Sequence, residues 1–378
     1  MDMKNIRILG AGTVAAIWLF LTASAWFGPA EATSESERRE LAQMPQITLQ
    51  SLLSGDFMED FEDYTLDQFP LRETFRRIKS LFHYNGLKQL DNNDIYIEDG
   101  FAVKQEYPLN ENSVVRAASR FAYLYQKYLA ETDAKVYLAV VPDKGQYLAG
   151  ESGHLTLDVA KMAALLAEGM PWATEVDLSG YLTAEDYYRT DTHWRQEKLL
   201  GAAGALCEAM GNAVPRAEDF RVTGLERPFY GVYYGQAALP MDPDTMYLME
   251  SDILDGCVTS VAQWDNKAGQ AVYQKLYDGV YDREKLEGKD MYEGFLSGTQ
   301  GILRIDNPNA TTDRKLILIR DSFGSSIAPL LVQSYASVTL VDIRAVQIDM
   351  LGNFLEFNGQ DVLFLFSSLV LNNSSTIK

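Results

Sequence analysis

The sequence predicts an α/β protein: a mainly parallel sheet with helices on both faces, joined to a single N-terminal apolar segment. Three observations lead there. The runs "KVYLAVV" (135–141), "KLILIR" (315–320), "SVTLVD" (337–342) and "DVLFLF" (361–366) are continuously apolar rather than alternating, which marks strands buried on both faces. Helical stretches, including 196–211 and 324–335, separate them, and that alternation sets parallel strands between two helical layers. The residues from Ile8 to Ala30 carry no charge at all.

Taken in order, "MDMKNIR" places Lys4 and Arg7 before the apolar run. At roughly 1.5 Å per helical residue, that run spans a hydrocarbon core about 30 Å thick. The basic flank holds the N-terminus in the cytoplasm, so the remainder is exported. Residues 1–30 therefore read as a signal anchor, with "ASA" at Ala23–Ala25 leaving a cleaved signal peptide as the other reading. Residues 31–46, "EATSESERRELAQMPQ", read as a polar tether. From residue 47 to 378 the pattern is that of one domain. It opens with helical periodicity over Ile47–Leu90, which Pro70 divides in two. A second amphipathic helix is expected over Ser113–Glu131, with Ser113 as its N-cap. The segment 213–312, rich in Tyr, Gly and Asp, reads as an irregular insertion of loops, short helices and a hairpin.

Composition narrows the function. With 33 basic against 53 acidic residues the net charge is −20, which argues against nucleic acid or an anionic lipid surface as the main partner of the globular part. Cys207 and Cys257 form no CxxC motif, and whether they pair is open at this level. His83 and His154 lack the spacing of a zinc site, and neither a metal nor a cofactor is expected.

The chemistry concentrates in two short blocks. In "RTDTHWRQ" (189–196) Asp191 stands two residues before His193, and in extended backbone those side chains share a side. The carboxylate then takes the imidazole Nδ1–H and leaves Nε2 free as a base. In "KLILIRDSFGSSIAPLL" a buried strand, a sharp turn and a helix put Ser322 at the carboxyl edge of a parallel strand. Ligands bind at such edges, and the N–H groups of the turn face an oxyanion forming there.

These blocks carry a resemblance. "RDSFGSS" resembles the Gly-Asp-Ser block of SGNH hydrolases, with Arg320 where glycine is usual, and "YYRTDTHW" resembles the Thr-Asp-x-His-Trp block of DHHW and AlgX/AlgJ-type proteins. The Asp-x-His block precedes the serine block, as in that family and unlike ordinary SGNH enzymes. "SERRELAQMP", "FEDYTLDQFPLRE", "VVPDKGQYL", "FYGVYYGQAAL" and "DVLFLFSSLVLNNS" extend the similarity over most of the chain after residue 34. Thr192 stands where the family name implies a second histidine, and extended backbone would turn it away from the pair.

The resemblance implies a three-layer SGNH-like fold and a serine-dependent O-acetyltransferase or acetylesterase acting on a cell-surface or secreted polysaccharide. Ser322 would be the nucleophile, His193 the base and Asp191 its orienting group. Asn372, Arg344, Lys144 and Trp194 are candidate oxyanion or substrate residues, although Trp194 and the tyrosines at 230, 233 and 234 equally suit packing. An MBOAT-type membrane acyltransferase is the implied partner, and the implied location is the cell membrane with the main domain outside the cytoplasm. The alternative is a non-catalytic polysaccharide-binding or assembly protein on the same fold.

Overall fold

The structure, a computed structural model, describes residues 3–34 and 36–378. Met1 and Asp2 of the expected anchor, and Glu35 of the expected tether, lie outside the described residues. The chain divides into two compact units, one running to Asn93 and adding Tyr234–Met241, the other made of Asp94–Tyr233 and Asp242–Lys378.

The larger unit is built on one eight-stranded sheet. Its strands are β1 (Lys135–Val141), β2 (Thr174–Glu175), β3 (Val258–Asp265), β4 (Gln270–Asp278), β5 (Ile302–Asp306), β6 (Lys315–Arg320), β7 (Ser337–Val341) and β8 (Asp361–Ser367). The order is β4-β3-β5-β7-β6-β8-β1-β2. The four apolar runs form its parallel heart, with Leu318 of β6 opposite Leu340 of β7 and Leu363 of β8. Strand β8 continues in parallel onto β1.

The strand period of two sorts these runs onto two cores. Leu316, Leu318, Val338, Leu340, Leu363 and Leu365 pack on one face, under helices Leu200–Ala209 and Phe323–Leu331. Ile317, Ile319, Val341, Val362, Phe364 and Phe366 pack on the other, under helices Glu111–Tyr128 and Val159–Gly169. Each such side chain, fully buried, contributes about 1.5–3 kcal/mol, so neither helical layer is dispensable. This is the three-layer α/β arrangement expected of an SGNH-like fold.

Three local expectations are corrected. The helix after residue 110 starts at Glu111 and ends at Tyr128, and its cap is Asn110, whose side chain accepts from the Ser113 N–H. The Ser113 hydroxyl instead donates to the Leu371 carbonyl. The insertion is more regular than expected: besides a hairpin of Arg221–Phe229 with Asp244–Glu250, it supplies β3, β4 and β5, the antiparallel part of the main sheet. "QAVYQKLYD" of β4 lies on the sheet edge and is largely exposed, so it never reads as a buried strand.

In the smaller unit the apolar helix spans Met3–Phe27, and its Asn5–Ala25 stretch is long and apolar enough to cross a membrane. Helices Leu49–Ser54, Asp56–Asp67 and Arg72–Leu81 follow. The chain breaks around Pro70 as expected and again at Gly55, whose φ of 91° suits glycine. Residues 31–46 are not a free tether. Thr33–Ser34 pairs with Arg39–Glu40. The Gln68 amide brackets the Glu31 backbone, accepting from its N–H at 2.8 Å and donating to its carbonyl at 2.9 Å.

Candidate active site

Strand β6 is followed by a fully buried Asp321 that shapes the turn. One carboxylate oxygen accepts from the Phe323 N–H at 3.0 Å, the other from the Ser367 N–H at 2.7 Å, which locks the ends of β6 and β8 together. Ser322 is thereby set as the residue before helix Phe323–Leu331. Its backbone N–H has no acceptor among the described residues. A Cβ on Gly324 would come within 2.6 Å of the Arg320 Cβ, so glycine is required where the helix starts against the strand. The Arg320 side chain is 1% exposed and lies along that glycine.

The structure brings Asp191 and His193 to this turn. Ser322 Oγ lies 2.8 Å from His193 Nε2, and Asp191 Oδ1 lies 2.6 Å from His193 Nδ1. The carboxylate fixes the proton on Nδ1 and leaves Nε2 to accept from the serine. The backbone differs from expectation. Residues 189–193 form a run of bends, and Asp191 Oδ1 also accepts from the His193 N–H at 3.1 Å. An Asx-type turn, rather than a strand pleat, sets the two side chains together. Thr192 accepts from the Tyr233 hydroxyl at 3.0 Å.

Four groups hold this loop. Lys144, 0% exposed, donates from Nζ to the carbonyls of Tyr188 at 2.7 Å and Asp191 at 2.6 Å. Burial pulls its pKa down to about 8, against the pull of Asp143, Asp191 and Asp244. Asp244 accepts from the Arg189 and Thr190 N–H groups, each at 2.8 Å. The Val232 N–H donates to Asp191 Oδ2 at 2.8 Å, and a Cβ on Gly231 would stand 2.2 Å from the Asp191 Cβ, so the approach excludes any side chain. Tyr292 stacks on the imidazole with ring centroids 3.7 Å apart and planes 9° from parallel. Its hydroxyl donates to the Ser322 carbonyl at 3.2 Å.

Among the weaker candidates, the structure separates site from surroundings. Lys144 lies beneath the Asp-x-His loop and acts on its backbone. Trp194 is 0% exposed, and its Nε1 donates to Ser326 Oγ at 2.8 Å and the Phe323 carbonyl at 3.1 Å. It ties the two blocks together and presents no face to a sugar. Asn372 is engaged elsewhere: Oδ1 accepts from the Asn110 N–H, and Nδ2 donates to Glu106 and the Pro108 carbonyl. Arg344 forms a two-pronged pair with Asp342 at 2.9 and 2.7 Å. Against the cost of burial, Asp342 and Asp321 hold its pKa above the ordinary arginine value. Cys207 and Cys257 are buried free thiols.

Tyr292 and Asp244 were not found from the sequence. Each is one residue in the 213–312 segment, with no motif around it. Gly231 and Val232 sit inside a quoted block, "FYGVYYG", but nothing there showed that backbone N–H groups would be the working part. Tyr292→Leu should lower the rate of serine acylation about tenfold by freeing the imidazole ring, whereas Tyr292→Phe, which keeps the stack, should stay within about threefold. Stopped-flow acylation with an activated acetyl ester reads the difference, and equal losses in the two variants would refute the role of the stack.

The fold, with Ser322, His193 and Asp191 hydrogen-bonded at the carboxyl edge of its sheet, resembles that of SGNH-like proteins. Within that class the chain resembles the DHHW proteins: the family described as "DHHW protein" matches residues 178–341, which contain both blocks. A DHHW family protein from Eubacterium siraeum DSM 15702 is similar in structure, with a TM-score of 0.60 and 21% identity over 76% of this chain and 95% of that one. Bacillus cereus PatB1 aligns with a TM-score of 0.58 and 20% identity, over 73% of this chain and 96% of that one. The same protein with a sulfonyl adduct also aligns at 0.58, with 18% identity over 75% and 96% of the two chains. At these identities the likeness is one of fold. No curated protein matches the chain.

Proposed function

We propose that this protein is a serine-dependent O-acetyltransferase or acetylesterase, held at the membrane by its N-terminal helix and acting outside the cytoplasm on a cell-surface or secreted polysaccharide. The observation that carries the reading is the continuous hydrogen-bonded chain from Asp191 through His193 to a partly exposed Ser322. The apolar segment Asn5–Ala25 supports the location.

The chemistry follows from the geometry. Ser322 Oγ attacks the carbonyl carbon of an acetyl ester while its proton passes to His193 Nε2. Asp191 stabilises the imidazolium, and the Ser322 N–H at the turn donates to the oxyanion. Collapse of the tetrahedral adduct returns the proton to the departing alcohol and leaves acetyl-Ser322. A sugar hydroxyl then gives its proton to His193 and takes the acetyl group. Water in place of the sugar gives the esterase reaction. An MBOAT-type membrane acyltransferase, which the sequence resemblance implies, would supply the acetyl group from the cytoplasmic side.

A fluorophosphonate probe tests the serine directly. It should add one mass of the probe at Ser322 in the native protein and at least about a hundredfold more slowly in His193→Ala. Native protein that stays unlabelled would sink the catalytic reading in favour of a binding protein. Mass analysis of an oligosaccharide incubated with an acetyl ester then separates transfer from hydrolysis.

A further inference from the structure

Helix Arg72–Leu81 is amphipathic in the inverse sense. Its inward residues are polar. Arg72 pairs with Glu37 at 2.6 Å, Arg76 donates to the Gly235 carbonyl at 2.8 Å, and the buried Ser80 hydroxyl accepts from Asn92 at 2.8 Å. Its outward side carries a line of apolar residues flanked by the exposed Thr74, Arg77 and Lys79. Phe75, Ile78 and Phe82 follow one another at the spacing of a single helical stripe and are 44%, 57% and 60% exposed. Leu71, at the helix entrance, is 62% exposed. Scattered exposed apolar residues are ordinary, but a stripe of large ones on a helix that turns Arg72 and Arg76 inward is not.

The occupant follows from the path of the chain. The apolar helix ends at Phe27, and Glu31 is tied on both sides of its backbone to the Gln68 amide. Four residues span at most about 14 Å, and the three from Gln68 to Leu71 about 10 Å. With the Gln68 side chain bridging the two stretches, the entrance to the apolar stripe is within about 30 Å of the point where the N-terminal helix leaves the bilayer. We infer that this helix lies in the membrane surface beside the N-terminal helix, with Leu71, Phe75, Ile78 and Phe82 seated among the outermost acyl-chain carbons. This rests on the membrane attachment proposed above. Exposed Arg77 and Lys79 flank the stripe, but the neighbouring helix Asp56–Asp67 opens with Asp56 and Glu59 and offsets them, so apolar burial rather than headgroup charge is the main attraction. A second contact with the bilayer would limit the swing of the smaller unit, where a single helix leaves it free to rotate.

The full chain in phosphatidylcholine vesicles, part of whose lipid carries a nitroxide near the top of an acyl chain, tests the inference. Single cysteines labelled with a fluorophore are placed at Ile78→Cys, Leu19→Cys and Val222→Cys. Cys207 and Cys257 are buried and can remain. The Ile78 label should lose at least half its emission to the lipid nitroxide and resist aqueous iodide, in low and in high salt alike. The Val222 label should show the reverse. Quenching at Leu19 with an Ile78 label as open to iodide as the one at Val222 would overturn the inference and leave the membrane attachment standing. Absence of quenching at both Leu19 and Ile78 would overturn both. An Ile78 label shielded from iodide without lipid quenching, and only in vesicles holding two chains, would put a second copy on the stripe and overturn it too.

Discussion

Ser322→Ala should lower acetyl transfer by roughly 10⁴-fold or more while the protein melts within about 0.5 kcal/mol of its native stability. The asymmetry comes from what the hydroxyl touches. It is hydrogen-bonded to His193 Nε2 at 2.8 Å, and the side chain is only partly buried, so removing it opens no core cavity. The turn beneath is held by Asp321 through the Phe323 and Ser367 N–H groups, and neither contact involves the hydroxyl. Product acetylation followed by mass spectrometry, with thermal unfolding of the same sample, gives both numbers. Full transfer activity in this variant would refute a covalent acetyl-serine. Loss of activity together with the fold would show instead that the residue is structural.

Lys144→Met should cost about a hundredfold in acylation rate with only a modest change in stability. Two effects oppose each other. The buried ammonium is held at a pKa of about 8, against an ordinary 10.5, and that difference corresponds to about 3 kcal/mol of strain relieved when the charge goes. Against this, the carbonyls of Tyr188 and Asp191 lose their donor in a dry interior, at about 1–3 kcal/mol each. The sums nearly cancel, so the fold should survive while the Asp191 backbone loses its anchor and the imidazole its fixed orientation.

The pH dependence gives an independent readout. Below pH 8 the lysine is protonated in both folded and unfolded chains. Between 8 and 10.5 the unfolded chain holds a proton that the folded one has released, so this group makes stability rise with pH. Tyrosines whose pKa burial has raised, such as Tyr277 at about 12, oppose the rise only above pH 10. The melting temperature of the native protein should therefore gain on that of Lys144→Met between pH 8 and about 9.5. Parallel curves would show that Lys144 does not titrate there.

What could be read in advance follows the range of the physics. Continuous apolar runs specify strands covered on both faces whatever their neighbours, so the parallel heart of the sheet and the three-layer class were legible from 135–141, 315–320, 337–342 and 361–366. The nearness of Asp191 to His193 was legible because two residues of separation allow few arrangements, although the geometry turned out to be an Asx turn. That Ser322 would join them rested on its strand–turn–helix setting and on a resemblance, since the two positions are 129 apart in the chain and no local pattern spans that gap.

The tertiary structure alone decided the rest, wherever a residue's use depends on which backbone arrives beside it. Lys144 became a strut because the carbonyls of 188–191 converge on it, and Tyr292 came to stack on the imidazole because the insertion completes the sheet rather than looping away from it. Asn372 was drawn to the 106–110 segment, where a bare N–H and the Glu106 carboxylate met its amide. Hydrogen-bond donors and acceptors are short-ranged and carry no signature of their partners in a one-dimensional chain. Apolar burial is collective and repeats along each strand, and that is why the fold was visible in the sequence while the supports of its site were not.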